Sequence, residues 1–169
     1  MAHVNKGRLT ADLPAEEFVL FMIGMRINQL HKVNQWLPVF LAMPKMVNEL
    51  VRQPDLGLLA RPRTFLSGRT SLLVQYWKSF EALDHYARSG DHEHLPAWRA
   101  FNRRTRDNGA VGIFHETYRV SGDRIETIYG NMPTFGLGLA FSTVKPGTGS
   151  QSAAGRLGLG DDDPAVEPY

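Results

Sequence analysis

Cysteine is absent from the 169-residue sequence. That single absence removes disulfide frameworks, thiolate zinc sites, cysteine-ligated iron–sulfur clusters and cysteine nucleophiles. Long apolar runs are missing too. Pro, Lys, Asn or Arg interrupts every apolar stretch well before 18 residues, and the opening MAHVNKGRLTADLPAEEF has no run of signal-peptide length. The expected protein is soluble and cytoplasmic, without membrane contact. No G-x-S-x-G string occurs, so a serine nucleophile elbow is excluded. The glycines of GLGLA (136–140) lack the preceding strand and downstream acid of a dinucleotide site, and GRLGLGDDD (155–163) sits in a low-complexity context. Bound nucleotide cofactors are not expected.

An excess of one charge is also lacking, despite a sequence pI near 9.0, because 19 basic residues face 17 acidic ones. Residues 144–169 carry two basic and four acidic side chains, so the body of the chain is only modestly positive. The densest basic run is Arg99, Arg103, Arg104 and Arg106, at helical spacing beside Trp98 and Phe101. Such a run reads as a solvated helix face opposite an aromatic stripe, and no nucleic-acid partner is expected.

What is present suits one globular domain. Hydrophobic residues make up 43% and charged residues 21%, enough for a core without metal or disulfide staples. The expected division is a loose N-terminal segment (1–15), an α+β domain (16–143) and a flexible C-terminal tail (144–169) rich in Gly, Ser, Pro and Asp. Residues 17–27, EFVLFMIGMRI, form a near-continuous apolar run and read as a central strand. A helix follows, capped by Asn34, with Trp36, Val39, Phe40, Met43, Val47, Leu50 and Val51 on one face and a bend expected at Pro44. A strand over Leu56 to Ser67 turns at Ser67-Gly68 into another over Thr70 to Lys78. Ser79 caps a short helix, and Leu95, Trp98 and Phe101 mark the next. Residues 110–120 alternate cleanly, and Ser121-Gly122-Asp123 joins them in a hairpin to Arg124 through Tyr129. The order β-α-β-β-α-β is that of the ferredoxin-like split βαβ fold with one antiparallel sheet, plus an extra strand. Helices on only one face leave the other apolar face bare, so a homodimer joined sheet to sheet is expected.

The segments MIGMRIN (22–28), WLPVFLAMPKMVNEL (36–50), VQYWKSFEALDHYA (74–87), HLPAWRAFN (94–102), VGIFHETYRV (111–120) and IYGNMP (128–133) resemble an uncharacterised monooxygenase-like family of bacteria and fungi. That family is grouped with the dimeric α+β barrels, alongside the antibiotic-biosynthesis monooxygenases. The resemblance covers roughly residues 17 to 140. It implies a dimeric α+β barrel whose members include cofactor-free monooxygenases, haem proteins such as aldoxime dehydratases, and ligand sensors. No catalytic residue is carried over from it. Cofactor-free oxidation of a small hydrophobic or aromatic substrate, in a pocket between sheet and helices, is the leading expectation. A haem dehydratase or isomerase and a non-catalytic binding module are the alternatives.

His115 sits mid-strand and is the candidate general base, or the axial ligand if haem is bound, with His94 the other candidate ligand. His115 shares a face with Thr117, whereas Glu116 shares one with Tyr118, so His115 and Glu116 form no dyad within the strand. Glu116 is the second candidate catalytic group and Tyr118 a candidate substrate contact. Their bland alternative is a cross-strand pair with Arg26 or Arg124. Arg26, ending an apolar run, is the third catalytic candidate or a snorkelling cation. Tyr76, Trp77, His94, Trp98 and Asn102 are candidate substrate-binding residues, the aromatics as rigid walls and Asn102 as a polar handle on an apolar stripe. Asp91-His92-Glu93-His94 has ligand-type residues but no third ligand at a fixed spacing, and no metal is expected.

Overall fold

The computed structural model describes residues 3–105, 108–160 and 163. Arg106 of the basic run and Asp161, Asp162 and Glu167 of the acidic end lie outside them. In chain order the elements are β1 (Asn5–Asp12), β2 (Glu17–Ile27), α1 (Val33–Arg52), β3 (Arg63–Ser67), β4 (Thr70–Trp77), α2 (Phe80–Arg88), α3 (His94–Thr105), β5 (Val111–Ser121), β6 (Tyr129–Met132), α4 (Leu137–Ala140), β7 (Ser142–Val144) and α5 (Ala153–Arg156). They fall into two compact units, one spanning Val19–Arg119 and one formed by the chain up to Phe18 together with the chain from Val120 onward.

The Val19–Arg119 unit is built on a four-stranded sheet in the order β3-β4-β2-β5, with β4 antiparallel to both β2 and β3. Its two central strands are the first and third of the four, and this is the ferredoxin-like arrangement. Strand β4 shows why a sequence alternation matters: Ser71, Leu73, Gln75 and Trp77 are buried, while Thr70, Leu72, Val74 and Tyr76 are half-buried. Register places Val19, Phe21, Ile23 and Met25 of β2 opposite Trp77, Gln75, Leu73 and Ser71, on the same face. The helices of this unit lie there. Val19, Leu50, Trp77, Leu83 and Tyr86 form one core cluster. Met25, Ala110 and Val111 form the other, with Trp36, Val39 and Phe101 against it. The opposite face carries Leu20, Met22, Gly24 and Arg26 from β2 and Phe114, Glu116 and Tyr118 from β5. Gly24 is required there, because a Cβ would meet the Ser71 carbonyl and the Phe114 ring.

Local chemistry moved two boundaries from their sequence-based positions. The first helix begins at Val33, one residue before Asn34. Lys32 occupies its cap with no side-chain bond, and the Trp36 Nε1–H donates instead to the Leu30 carbonyl at 3.0 Å. Helix α1 runs on through both Pro38 and Pro44. The expected strand over Leu56 to Ser67 is cut to Arg63–Ser67. Pro54 starts a 3-10 turn, Gly57 takes φ 95°, Leu58 makes only a single bridge to Trp77, and Pro62 has no N–H to give a ladder. Ser79 does cap α2, accepting from the Ala82 N–H at 3.2 Å.

The expected second hairpin is not formed. After β5 the chain makes a 3-10 turn at Gly122–Arg124, and the Gly122 N–H bonds the Pro14 carbonyl at 3.2 Å. Residues Tyr129–Met132 then pair with β1, giving a separate three-stranded sheet in the order β6-β1-β7. Thr127 Oγ1 accepts from the Ala11 N–H at 2.8 Å and bonds Thr10 Oγ1 at 3.0 Å. Strand β1 lies in the N-terminal segment that the sequence reading takes as loose. Gly7, at φ 83°, lets it bulge so that its N–H meets Asn131 Oδ1 at 2.9 Å. Residues beyond 143 also carry structure. Strand β7 pairs with β1, Ser152 caps α5 by accepting from the Gly155 N–H, and the Arg156 guanidinium bonds Glu126 and the carbonyls of Ser150 and Gln151.

Candidate functional site

Among the cavities between the sheet and the helices of the Val19–Arg119 unit are two small, adjoining chambers. The larger, about 110 Å³, is bounded by Met25 and Ile113 from the sheet, Val39 and Met43 from α1, and Trp98 and Phe101 from α3. The smaller, about 50 Å³, is bounded by Phe21, Leu73, Gln75 and Trp77 from the sheet, Leu50 from α1, and Leu83 and Tyr86 from α2. Ile23, Met43, Met46 and His94 line both. The walls are almost wholly apolar. A dry cavity of roughly 150 Å³ accepts benzene, so space on this scale suits a single ring or a short chain.

His94 is the first residue of α3, which aims its side chain back toward α2. Its Nδ1 lies 3.0 Å from the Ala87 carbonyl. A carbonyl only accepts, so Nδ1 carries the hydrogen and Nε2 of the neutral ring keeps its lone pair. Nε2 has no hydrogen-bond partner among the described residues. A fixed tautomer beside two apolar chambers is the geometry of a general base, or of a ligand to a metal.

Gln75 and Trp77 share the buried face of β4, and the Trp77 Nε1–H donates to Gln75 Oε1 at 2.8 Å. Behind the smaller chamber, Glu49 of α1 gathers three donors. The Tyr86 hydroxyl reaches Oε2 at 3.0 Å, the Glu93 N–H reaches Oε2 at 3.0 Å, and His92 Nδ1 lies 3.2 Å from Oε1. The Tyr86 ring stands between His92 and His94, with centroids 5.3 and 6.0 Å away, and leans on Trp77 at 5.7 Å. Glu49 thereby ties α1, α2 and the entrance of α3 together. Burial first, and then the bond to Glu49, push the Tyr86 phenol far above its ordinary pKa.

That shift has a consequence in alkali. Folded Tyr86 keeps its proton above pH 10, where an unfolded chain loses it. Its contribution to stability is therefore complete below about pH 10 and is lost as pH rises through the folded value. Tyr118 is shifted the same way by its bond to Glu116. In a 295 nm titration of folded protein Tyr86 should ionise well above the ordinary tyrosine range, and Tyr86→Phe should flatten the alkaline fall in Tm. Ionisation of Tyr86 near pH 10 in folded protein would contradict the geometry.

The remaining candidates are dispersed. His115 is exposed on the helix-side face of β5, its ring 5.8 Å from Phe21, and does not line either chamber. Glu116 and Tyr118 are exposed on the other face and hydrogen-bond to each other within the strand. Arg26 is exposed on that face, its Nη1 donating to Thr70 Oγ1 at 3.2 Å. Tyr76 is on that face too, one residue and one strand face away from Trp77. Trp98 lines the larger chamber and stacks on Phe101 with centroids 5.4 Å apart, whereas Asn102 is half-buried and outside it. The structure thus brings together His94, Trp77 and Trp98. It adds Gln75, Tyr86 and Glu49, whose only sequence signal was a polar residue inside an apolar stripe.

Haem does not fit these chambers. Nε2 of His94 has the right chemistry for an axial ligand, but no Lys or Arg lines either space to hold propionates, and the volumes fall well below the usual 300–1,000 Å³ of cofactor sites. Among the described residues, no group of three His, Asp or Glu side chains converges to hold a metal, and no helix is long and apolar enough to cross a membrane.

This is an α+β domain of ferredoxin-like topology with an apolar sheet–helix cavity. Residues 18–137 match the model of the Monooxygenase af470-like family, and the chain belongs to that family. It is similar to "Monooxygenase af470" of Aspergillus fumigatus, 32% identical over 155 residues and covering 78% of this chain. The chain spans about half the length of that relative, 53%. Among solved structures it is similar in fold to the aldoxime dehydratase OxdRE, crystallised with butyraldoxime. That likeness has a TM-score of 0.62 at 17% identity and covers 75% of this chain and 37% of the other.

Proposed function

We propose that the chain is a monooxygenase that oxidises a small aromatic substrate with dioxygen, without an organic cofactor or metal, in the two chambers between sheet and helices. The observation that carries this reading is His94, a base of fixed tautomer whose free Nε2 borders a cavity otherwise walled by apolar groups. Family membership supports the oxidative chemistry. For a single-ring hydroquinone, Nε2 takes the phenolic proton and leaves an electron-rich phenolate. The phenolate reduces dioxygen, and a C–O bond forms at the ring carbon. Loss of water then yields the hydroxyquinone. One oxygen atom of O₂ ends in the product and the other in water, and His94 returns its proton to the departing hydroxide. The dry walls matter because they leave His94 and the bound phenolate without competing water.

The same reading makes the active species a homodimer. The face of the four-stranded sheet away from the helices presents Phe65, Phe114 and Tyr118, all exposed, beside half-buried Leu72 and Val74. The test is oxygen uptake by protein from a gel-filtration dimer peak, offered a panel of single-ring hydroquinones, with ¹⁸O₂ placing one label in product and one in water. No uptake across the panel, or turnover that requires added flavin, haem or metal, overturns the reading. A monomer that turns over removes the dimer from it.

A further inference from the structure

The reading of the chambers as a substrate site leaves one polar side chain of their lining without a task. Gln75 is 7% exposed and lines the smaller chamber. Its Oε1 is committed, because the Trp77 indole can only donate and reaches it at 2.8 Å. The amide NH₂ is therefore the other terminus, and it has no partner among the described residues. Amide donors in such surroundings are nearly always satisfied, and apart from Trp77, Tyr86 and His94 the other side chains lining the chamber are Phe, Ile, Met, Val, Leu and Ala. The Tyr86 hydroxyl has already given its hydrogen to Glu49. The chamber thus offers one donor, Gln75 Nε2–H, and one acceptor, His94 Nε2. A hydroxyl group supplies the matching acceptor and donor, whereas a hydrocarbon satisfies neither and a carboxylate finds no cation among the lining residues.

We infer that Gln75 is the residue that reads the substrate's polar head, its NH₂ donating to the same oxygen whose proton His94 removes. The substrate class is then a neutral single-ring phenol, its ring in the larger chamber and its oxygen in the smaller. As the phenolate forms, the Gln75 donor meets a growing negative charge, so it also strengthens the bond it makes as the proton leaves. Trp77 acts through Gln75, holding the amide in the one orientation that turns its donors to the chamber.

A carbonyl probe isolates this donor, because it accepts a hydrogen bond but gives nothing to His94. Benzaldehyde and styrene, close in shape, are to be titrated calorimetrically into the wild-type protein, Gln75→Met and Gln75→Glu. The last variant keeps an oxygen acceptor for Trp77 and removes the NH₂. Styrene affinity is expected to stay within about 2-fold across folded variants while benzaldehyde weakens roughly 10-fold in both. Equal responses of the two probes overturn the role of Gln75 and leave the chamber reading intact. Failure of styrene to bind wild-type protein overturns the chamber reading itself. Should neither variant fold, the infrared carbonyl stretch of benzaldehyde bound to wild-type protein decides. It is expected below its position in hydrocarbon solvent, and an unshifted band rejects the donor.

Discussion

His94→Ala is expected to lower oxygen uptake by on the order of 10²- to 10⁴-fold, the range associated with losing a positioned general base. Substrate affinity should fall by no more than roughly 10-fold, the effect of one lost hydrogen bond, since the walls of the larger chamber remain. The loss follows from geometry: the Ala87 carbonyl holds the Nδ1 hydrogen, so only Nε2 is free to take a proton. His115→Ala is the paired control. His115 is exposed and lies outside both chambers, so uptake should stay within about 2-fold of wild type. Added imidazole should restore part of the His94→Ala rate, because the vacated ring space admits a free base, a recovery that a merely structural histidine does not give. If His115→Ala were the damaging substitution and His94→Ala the harmless one, the placement of the base in the chambers would be wrong.

Trp77→Ala is expected to cost about 3–5 kcal/mol, the usual range for truncating a fully buried large aromatic residue, with a fall in Tm on the order of 10 °C. Trp77 is 0% exposed and belongs to the larger core cluster. It closes β4 against Val19 of β2, and its ring leans on Tyr86 of α2. Truncation also strands Gln75 Oε1, adding an unpaired buried acceptor to the cavity. Trp98→Ala gives the comparison. Trp98 is 41% exposed, so its loss should leave chemical denaturation midpoints much closer to wild type. Midpoints that fall equally for the two variants would place the core elsewhere.

Both expectations turn on positions that the sequence marked without ranking. Trp77 and Trp98 look alike at helical or strand spacing. Only register separates them, by putting Trp77 opposite Val19 in the middle of the sheet and Trp98 at the rim of a chamber. His94 and His115 pose the same problem. A mid-strand histidine reads as the better ordered of the two, yet β5 is the last strand of its sheet and residues 114–119 are all exposed. His94, in a polar run that reads as a helix entrance, gains its meaning from α2, whose Ala87 carbonyl fixes its tautomer. Gln75 was hidden for a further reason. Alternation alone classifies it as a core position, and nothing local says that an indole two residues on will take one end of its amide and leave the other free.

The ferredoxin-like topology was readable from element order, because period-2 and period-3.6 patterns are local properties of the chain and the turns at Ser67-Gly68 and Ser79 carry their own chemistry. The sequence by itself holds no cysteine, no G-x-S-x-G string and no dinucleotide-binding fingerprint, and its patterning alternates strands and helices in one α+β order. The tertiary structure alone decided which strands are neighbours. It paired Tyr129–Met132 with β1 rather than β5, found long-range partners for Asn5–Asp12, and set His94 and Gln75 at one chamber. The physical reason is the same in each case. Hydrophobic periodicity specifies which face of an element is buried, but a hydrogen-bond partner more than a hundred residues away, such as Asn131 for Gly7, leaves no local trace.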